Sequence, residues 1–334
     1  MDILIIKLGS LGDVINTLPL VINLKKHLEA RIFWLVEPLS YPIISGHPCV
    51  DKVILFDRYR WRTSLVNVGR QIRAEIFDVT LDLQRIWKSG GLCMFARTRR
   101  RIGFDKERCK EMSWVLPFER IPESDPKSHM IYQYLEFAEY LGVRTTDVRW
   151  ELPLSGKYPF ALPRDYIVLN IGATKPANRW TPDGFAGLAR AIHRRYGFAS
   201  VITGGREDIG MAKKITAITG GEVVDLVDRT SVGDLKEVLA GSRLVVSCDT
   251  GPMHLAVALG KKVVALFGPS DPRRTGPFRG QVIQKSLECS PCNLSVCASA
   301  DCMRAITHED VMEKVASLLP VRSRSPIPAG GLKY

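Results

Sequence analysis

Residues able to do chemistry gather in this sequence at glycine-bearing turns that directly follow short apolar runs. The first turn reads Lys7-Leu8-Gly9-Ser10-Leu11-Gly12-Asp13-Val14. Two glycines permit a tight loop beneath a ligand, and Asp13 would stand at the amino-terminus of the helix that follows. A carboxylate there can work on a bound ligand or simply cap the helix, and the local sequence leaves both open. The second turn reads Ser247-Cys248-Asp249-Thr250-Gly251-Pro252-Met253-His254. Asp249 and Thr250 suit an N-cap, Gly251 lets backbone approach a ligand, and Pro252 fits a first helical turn, where a missing N–H is no loss. The free amides that follow would cradle a diphosphate or begin an ordinary capped helix.

A third turn, Thr203-Gly204-Gly205-Arg206-Glu207-Asp208, offers Glu207 and Asp208 as acceptors for ribose hydroxyls, with surface exposure as the alternative. The stretch Gly172-Ala173-Thr174-Lys175-Pro176-Ala177-Asn178-Arg179-Trp180 also follows an apolar run. Its Lys175 and Arg179 can pair with phosphate or remain solvated. Arg58, Arg60 and Arg62 alternate with Tyr59 and Trp61. Cys289, Cys292, Cys297 and Cys302 crowd one short segment. Four thiolates can hold a structural zinc or an iron–sulfur cluster, although two four-residue gaps are not a zinc-ribbon spacing and free thiols are the other reading.

These turns need a scaffold that presents them together. Apolar runs fall at 3–6, 32–36, 53–56 and 77–83, then at 166–171, 200–203, 222–227, 244–247 and 263–267. Most are uniformly apolar, as parallel strands covered on both faces must be. Between the first two, Val14, Leu18, Val21, Lys25 and Leu28 keep helical spacing, with Pro19 expected to kink the helix or mark its first turns. Strand, glycine turn, helix and strand make a βαβ unit. Its repetition in both halves predicts an α/β chain of two doubly wound, Rossmann-like domains facing across a cleft. Pro153, Gly156, Pro159 and Pro163 crowd 151–165 and place the boundary there, giving a first domain of 1–155 and a second of 156–320. Residues 321–334, rich in Ser, Pro and Gly, read as a disordered tail.

The chain has 334 residues, 46% hydrophobic and 25% charged, a balance that excludes fibrous, disordered and membrane-spanning classes. The first apolar run is too short for a secretory signal, which points to the cytoplasm, with any membrane association peripheral. The net charge is +12, and residues 51–110 alone carry 15 Lys and Arg against 7 Asp and Glu. Such a face suits polyanions: nucleic acid, acidic lipid headgroups or phosphorylated glycans.

Together the turns resemble the ADP-heptose:lipopolysaccharide heptosyltransferases, glycosyltransferase family 9 of the GT-B fold. The resemblance spans nearly the whole chain and rests on 7–18 (KLGSLGDVINTL), Arg179-Trp180-Thr181-Pro182, 249–256, and Ala265-Leu266-Phe267-Gly268-Pro269-Ser270-Asp271-Pro272. It implies inverting transfer of heptose from ADP-heptose to the lipopolysaccharide inner core, either Kdo-lipid A or an already heptosylated core. Asp13 would be the general base, with Ser10, Gly12, Arg58, Arg60 and Arg62 toward the acceptor. Asp249 would hold the donor sugar, and 250–254 (Thr250, Gly251, Pro252, Met253, His254), Lys175 and Arg179 the diphosphate. No metal or other cofactor is required by that chemistry. The enzyme would work peripherally at the inner membrane's cytoplasmic surface. Asn178 stands where many members carry a lysine, so Lys175 or Arg179 would have to replace it. The alternatives are a family 9 transferase using another nucleotide sugar and, from a different class, a basic nucleic-acid-binding protein. The latter lacks an RNA-binding aromatic signature, and a dehydrogenase would need the absent Gly-x-Gly-x-x-Gly.

Overall fold

The computed structural model describes residues 1–144, 146–157 and 160–320, so Pro159 and the expected tail at 321–334 lie outside the described residues. Each half builds a six-stranded parallel sheet. In the first half β1 (Asp2–Ile6), β2 (Arg31–Val36), β3 (Lys52–Leu55), β4 (Phe77–Asp82), β5 (Thr98–Gly103) and β6 (Glu119–Arg120) lie in the order β3-β2-β1-β4-β5-β6. In the second, β7 (Tyr166–Asn170), β8 (Ala199–Thr203), β9 (Val223–Asp225), β10 (Val245–Cys248), β11 (Val263–Phe267) and β12 (Gln281–Gln284) lie in the order β12-β11-β10-β7-β8-β9. Counted from the first strand of each half, both sheets follow the doubly wound order 3-2-1-4-5-6. The order reverses between the first and fourth strands, and a crevice opens there beyond the strands' carboxyl ends. The turns at 7–13 and 249–251 both sit at these switch points.

The apolar runs become strands because every inner position is fully buried: Ile3, Leu4, Ile5 and Ile6 in β1, and all five residues of β11, are inaccessible. Three strands escape the apolar reading. β5 reads TRRRIG, and its arginines are tolerated because each finds a partner. Arg100 grips Glu119 on the neighbouring β6 through its Nε and Nη2 (3.0 and 2.7 Å), and Arg101 donates to the carbonyls of Cys93 and Ala96. The basic run therefore braces the sheet. β6 and β12 are short and half-buried.

The Leu11–Leu28 helix runs on through Pro19. Asn23 Nδ2 donates to the Pro19 and Asp147 carbonyls, both at 2.7 Å, which fastens this part of the helix to the segment leading toward the second half.

The halves meet closely at their glycine turns. A methyl group on Gly12 would lie 2.6 Å from the His254 ring, and one on Gly251 would lie 2.9 Å from the Leu11 side chain. The amino-terminal turns of the Leu11–Leu28 and Gly251–Ala258 helices thus pack face to face. A second contact forms around Phe278, whose ring meets those of His129, Tyr132 and Trp150 edge-on, while His129 Nε2 bonds the Gly276 carbonyl at 3.0 Å.

This apposition gives a test with a definite sign. Gly→Ala inside a helix normally stabilises by about 1 kcal/mol. Gly12→Ala should instead destabilise by roughly 1–3 kcal/mol, because the methyl overpacks against His254. In a His254→Ala background the same substitution should become neutral or stabilising. Additive effects in urea unfolding of the four proteins would show that the ring contact does not set the spacing.

Candidate functional site

At the first switch point Lys7 directly follows the last residue of β1 and is only 1% exposed. Its ammonium pairs with Asp13 Oδ2 at 3.1 Å, donates to the Leu83 carbonyl at 3.4 Å, and lies over the Tyr134 ring. Tyr134 donates its hydroxyl to Asp13 Oδ1 at 3.2 Å. Each carboxylate oxygen therefore holds one hydrogen bond, while the Asp13 side chain stays 32% exposed. Asp13 is no cap: Ser10 occupies the N-cap of this helix and Asp13 lies within its first turn.

Electrostatics fix the protonation states. Burial works to raise the Asp13 carboxyl, yet the charge and hydrogen bond of Lys7, with Arg85 and His254 behind them, hold it below the ordinary carboxylate value. Burial and the negative charge of Asp13 push the Tyr134 phenol well up, so it stays a donor. Burial draws the Lys7 ammonium down, against the attraction of Asp13. Arg274, reaching over from the second half, is also lowered by burial and by Arg85, with Asp13 opposing. The result is an ionised carboxylate fixed at both oxygens, open on one side, and surrounded by cations.

At the second switch point Asp249 accepts from Asn178 Nδ2 at 3.3 Å, and the same amide donates to Ser270 Oγ at 3.1 Å. Burial raises the Asp249 carboxyl, which Ser270, the Lys175 charge and Asn178 only partly offset. Asn178 thus acts as a neutral partner of Asp249, and Lys175, half-buried nearby, is the cation at this spot. A cavity of about 180 Å³ lies beside it, lined in part by Thr174, Gly205, Glu207, Thr230, Ser231, Thr250 and Pro252. Leu11 of the first half also borders it. The amino-termini of two helices, Gly251–Ala258 and Val232–Gly241, open toward this space.

Several expectations change on inspection. Thr250 is the N-cap of its helix, yet its side chain makes no capping bond; Pro252 has no N–H and the Met253 amide donates to the Thr250 carbonyl at 3.1 Å, so Gly251 is the first-turn amide left for a ligand. Met253 is fully buried in the core and can offer only backbone. His254 faces Gly12. Asp208 is buried, accepts from the Gly205 amide at 2.9 Å and pairs with Arg179 at 3.0 Å. That pair ties the third turn to the 172–180 stretch and occupies both groups, leaving exposed Glu207 as the accessible carboxylate and Lys175 as the accessible cation. Arg58, Arg60 and Arg62 are exposed around the start of the Trp61–Arg73 helix, Arg58 over Tyr59 and Arg62 over Trp61. Ser10 is exposed at the first helix's N-cap.

The cysteine segment stands apart. Cys289 and Cys297 are exposed, Cys292 half-buried and Cys302 buried. Burial raises the Cys302 thiol, with Cys292 and Cys289 close enough to add to the effect, whereas Cys297 accepts from the Ala300 amide at 3.4 Å. Among the described residues no three His, Cys, Asp or Glu side chains gather as a ligand set.

Sequence reasoning missed Lys7, Tyr134, Arg85 and Arg274 as neighbours of Asp13, and Thr230 and Ser231 at the second cavity. Ser231 carried a signal: with Asp234 it forms a capping box, which marks a helix start. Lys7 stands in the sequence only as the first residue of the first glycine turn. Nothing local connects Tyr134 or Arg274 to Asp13.

Comparison with known proteins places this geometry. The sequence model of the family described as glycosyltransferase family 9 (heptosyltransferase) matches residues 65–302. A lipopolysaccharide core heptosyltransferase of Haemophilus influenzae is 26% identical over 285 residues, 82% of this chain and 81% of the relative. Lipopolysaccharide heptosyltransferase 1 of Escherichia coli is 26% identical over 333 residues, 95% of this chain and all of the relative. Among solved structures, a family 9 glycosyl transferase from Veillonella parvula superposes with a TM-score of 0.80 at 21% identity, over 95% of this chain and 96% of the other. E. coli heptosyltransferase WaaC, solved with ADP, superposes with a TM-score of 0.77 at 24% identity, over 96% and 100%. The architecture is the GT-B fold of these transferases.

The contact between the halves carries a pH dependence of defined sign. Burial, with His129 nearby, lowers His254 to about 4, against the attraction of Asp13. Unfolded chain therefore binds this proton from about pH 6.5 downward while the folded protein resists it, and stability falls as pH drops through that window. The loss is complete near pH 4 and amounts to about 3 kcal/mol. Urea unfolding of wild type and His254→Gln between pH 7 and 4 should show a steeper fall for wild type. Parallel curves would mean that His254 titrates alike folded and unfolded.

Proposed function

Because the chain belongs to glycosyltransferase family 9, we propose that it is an inverting transferase moving heptose from ADP-heptose to the anionic inner core of lipopolysaccharide. The observation that carries this reading is an ionised Asp13, held at both oxygens by Lys7 and Tyr134, facing a second helix end beside an open cavity. A carboxylate so placed can take the proton of an acceptor hydroxyl as that oxygen attacks the anomeric carbon from the face opposite the diphosphate. The new carbon–oxygen bond forms as the carbon–phosphate-oxygen bond breaks, and its electron pair leaves on ADP. A carboxylate with a depressed pKa is a weak base, so its contribution lies in position and in guaranteed ionisation at neutral pH.

The leaving charge falls where positive potential is concentrated: the Gly251 amide and positive end of the Gly251–Ala258 helix, with Lys175 and Arg274 near the two carboxylates. Asp249 suits the sugar hydroxyls and Glu207 the ribose. Arg58, Arg60 and Arg62 suit the phosphate and Kdo carboxylates of the acceptor, and their exposure suits work at the cytoplasmic face of the inner membrane. No helix among the described residues is long and apolar enough to cross a membrane, so association would be peripheral.

Purified protein given ADP-heptose and Kdo-lipid A should yield a singly heptosylated product of inverted anomeric configuration, seen by mass spectrometry and NMR. Product formed only with a different nucleotide sugar would overturn the donor assignment. The double variant Arg60→Ala, Arg62→Ala should raise the acceptor KM about tenfold, roughly 1.4 kcal/mol, and leave ADP affinity unchanged. An equal loss of ADP affinity would contradict the division of acceptor and donor between the halves.

A further inference from the structure

A cavity of about 420 Å³ opens in the first half between the Trp61–Arg73 and Trp87–Met94 helices. Its interior is apolar, with Phe56, Leu65 and Leu92, and its rim carries Trp61, Trp87 and Phe95. These three rings are 54%, 47% and 42% exposed, an arrangement that leaves aromatic surface in water unless something covers it. The nucleotide cavity beside Asp249 has no such lining.

The rim is also cationic. Arg58 and Lys88 line the cavity, Lys88 lies 4.6 Å from the Phe56 ring centre, Arg62 lies over Trp61 and Arg73 over Phe95. Among the described residues Arg62, Arg73 and Lys88 enter no ion pair, and the carboxylate paired with Arg58 is Glu37 at 3.9 Å. Uncompensated cations around exposed tryptophans match the interface of an anionic bilayer, where indole rings sit at headgroup level and basic side chains meet phosphate.

Two adjacent glycines sharpen the case. Gly90 is demanded by packing, since a methyl there would come within 2.1 Å of Leu116. Gly91 is not: a methyl there meets nothing within 4 Å, its backbone is helical, and it lines the cavity. A helical glycine with room for a side chain costs about 1 kcal/mol against alanine, and here it keeps the cavity open. The loops after β3 and β4 carry the cavity's rim, so it lies toward the same sheet edge as Lys7 and Asp13.

We propose that this cavity takes one acyl chain of an anionic membrane lipid, seating the first half on the bilayer surface beside the cleft. The proposal rests on the functional reading above only in placing the substrate at a membrane, and its test needs no turnover. Vesicles of phosphatidylglycerol with bromine on the acyl chains quench tryptophan on contact, and Trp61 and Trp87 stand at the cavity mouth. Wild type should be quenched, and Gly91→Phe, which fills the cavity, should lose most of that effect, about fivefold or more. Gly91→Ala should behave as wild type, and Gly91→Leu serves as a second plug if the phenylalanine variant does not fold. Brominated phosphatidylcholine should quench weakly, because it offers no net charge to the rim. Absent quenching in wild type, equal quenching in the plugged variants, or equal quenching by the uncharged lipid would overturn the proposal. ADP binding by calorimetry, run on the same proteins, reports separately on the transferase reading: its failure alongside intact quenching would remove that reading and leave the cavity's assignment standing.

Discussion

The structure depends on bringing two helix amino-termini almost into contact. The Leu11–Leu28 and Gly251–Ala258 helices meet through Gly12 against His254 and Gly251 against Leu11. Each helix end carries partial positive charge, and buried Lys7 adds a full one, so this meeting is unfavourable without an anion between them. Asp13 supplies that charge, and its depressed pKa expresses the same balance from the carboxylate's side. His254 is kept neutral by its burial in this contact, with His129 nearby adding to the effect. The constraint that permits close packing of the halves is therefore also what keeps a carboxylate ionised in the cleft.

The rest of the architecture aims groups at this place. Both sheets share one strand order, and each delivers its glycine turn at the point where that order reverses. The first half contributes a fixed anion and its donors. The second contributes the Gly251 amide at a helix start, an amide-bonded Asp249 and a cavity shaped by four turns. Arg274 reaches across from the second half to the environment of Asp13, so approach of the halves completes the electrostatics of the site.

Much of this was legible in the sequence, for physical reasons that can be named. Strands buried on both faces are apolar throughout, and nine of them announced themselves. β5 did not, because its arginines find partners only after the chain folds: Glu119 on the next strand and the carbonyls of Cys93 and Ala96. Asp13 and Asp249 stood out because glycine turns flank them. Their partners did not, since Tyr134 and Arg274 lie far along the chain and no local pattern links them. The departure at Asn178 was visible, and only the fold explains it, as a neutral amide bonded to Asp249. Arg179 and Asp208 each read as a ligand contact from local sequence, whereas together they neutralise one another.

In the proposed reaction Asp13 accepts the acceptor's proton from a position fixed by Lys7 and Tyr134. Single-turnover transfer by Asp13→Asn, with donor and acceptor saturating, tests it most directly. Asparagine keeps the side chain's shape and can still take the Tyr134 hydrogen bond, although buried Lys7 loses its counter-charge and stability should fall by a few kcal/mol. The rate should fall by roughly 10²–10⁴ with ADP affinity preserved in the folded variant. Transfer at the wild-type rate would show that Asp13 serves only to compensate Lys7 and the helix ends, and that the base lies elsewhere.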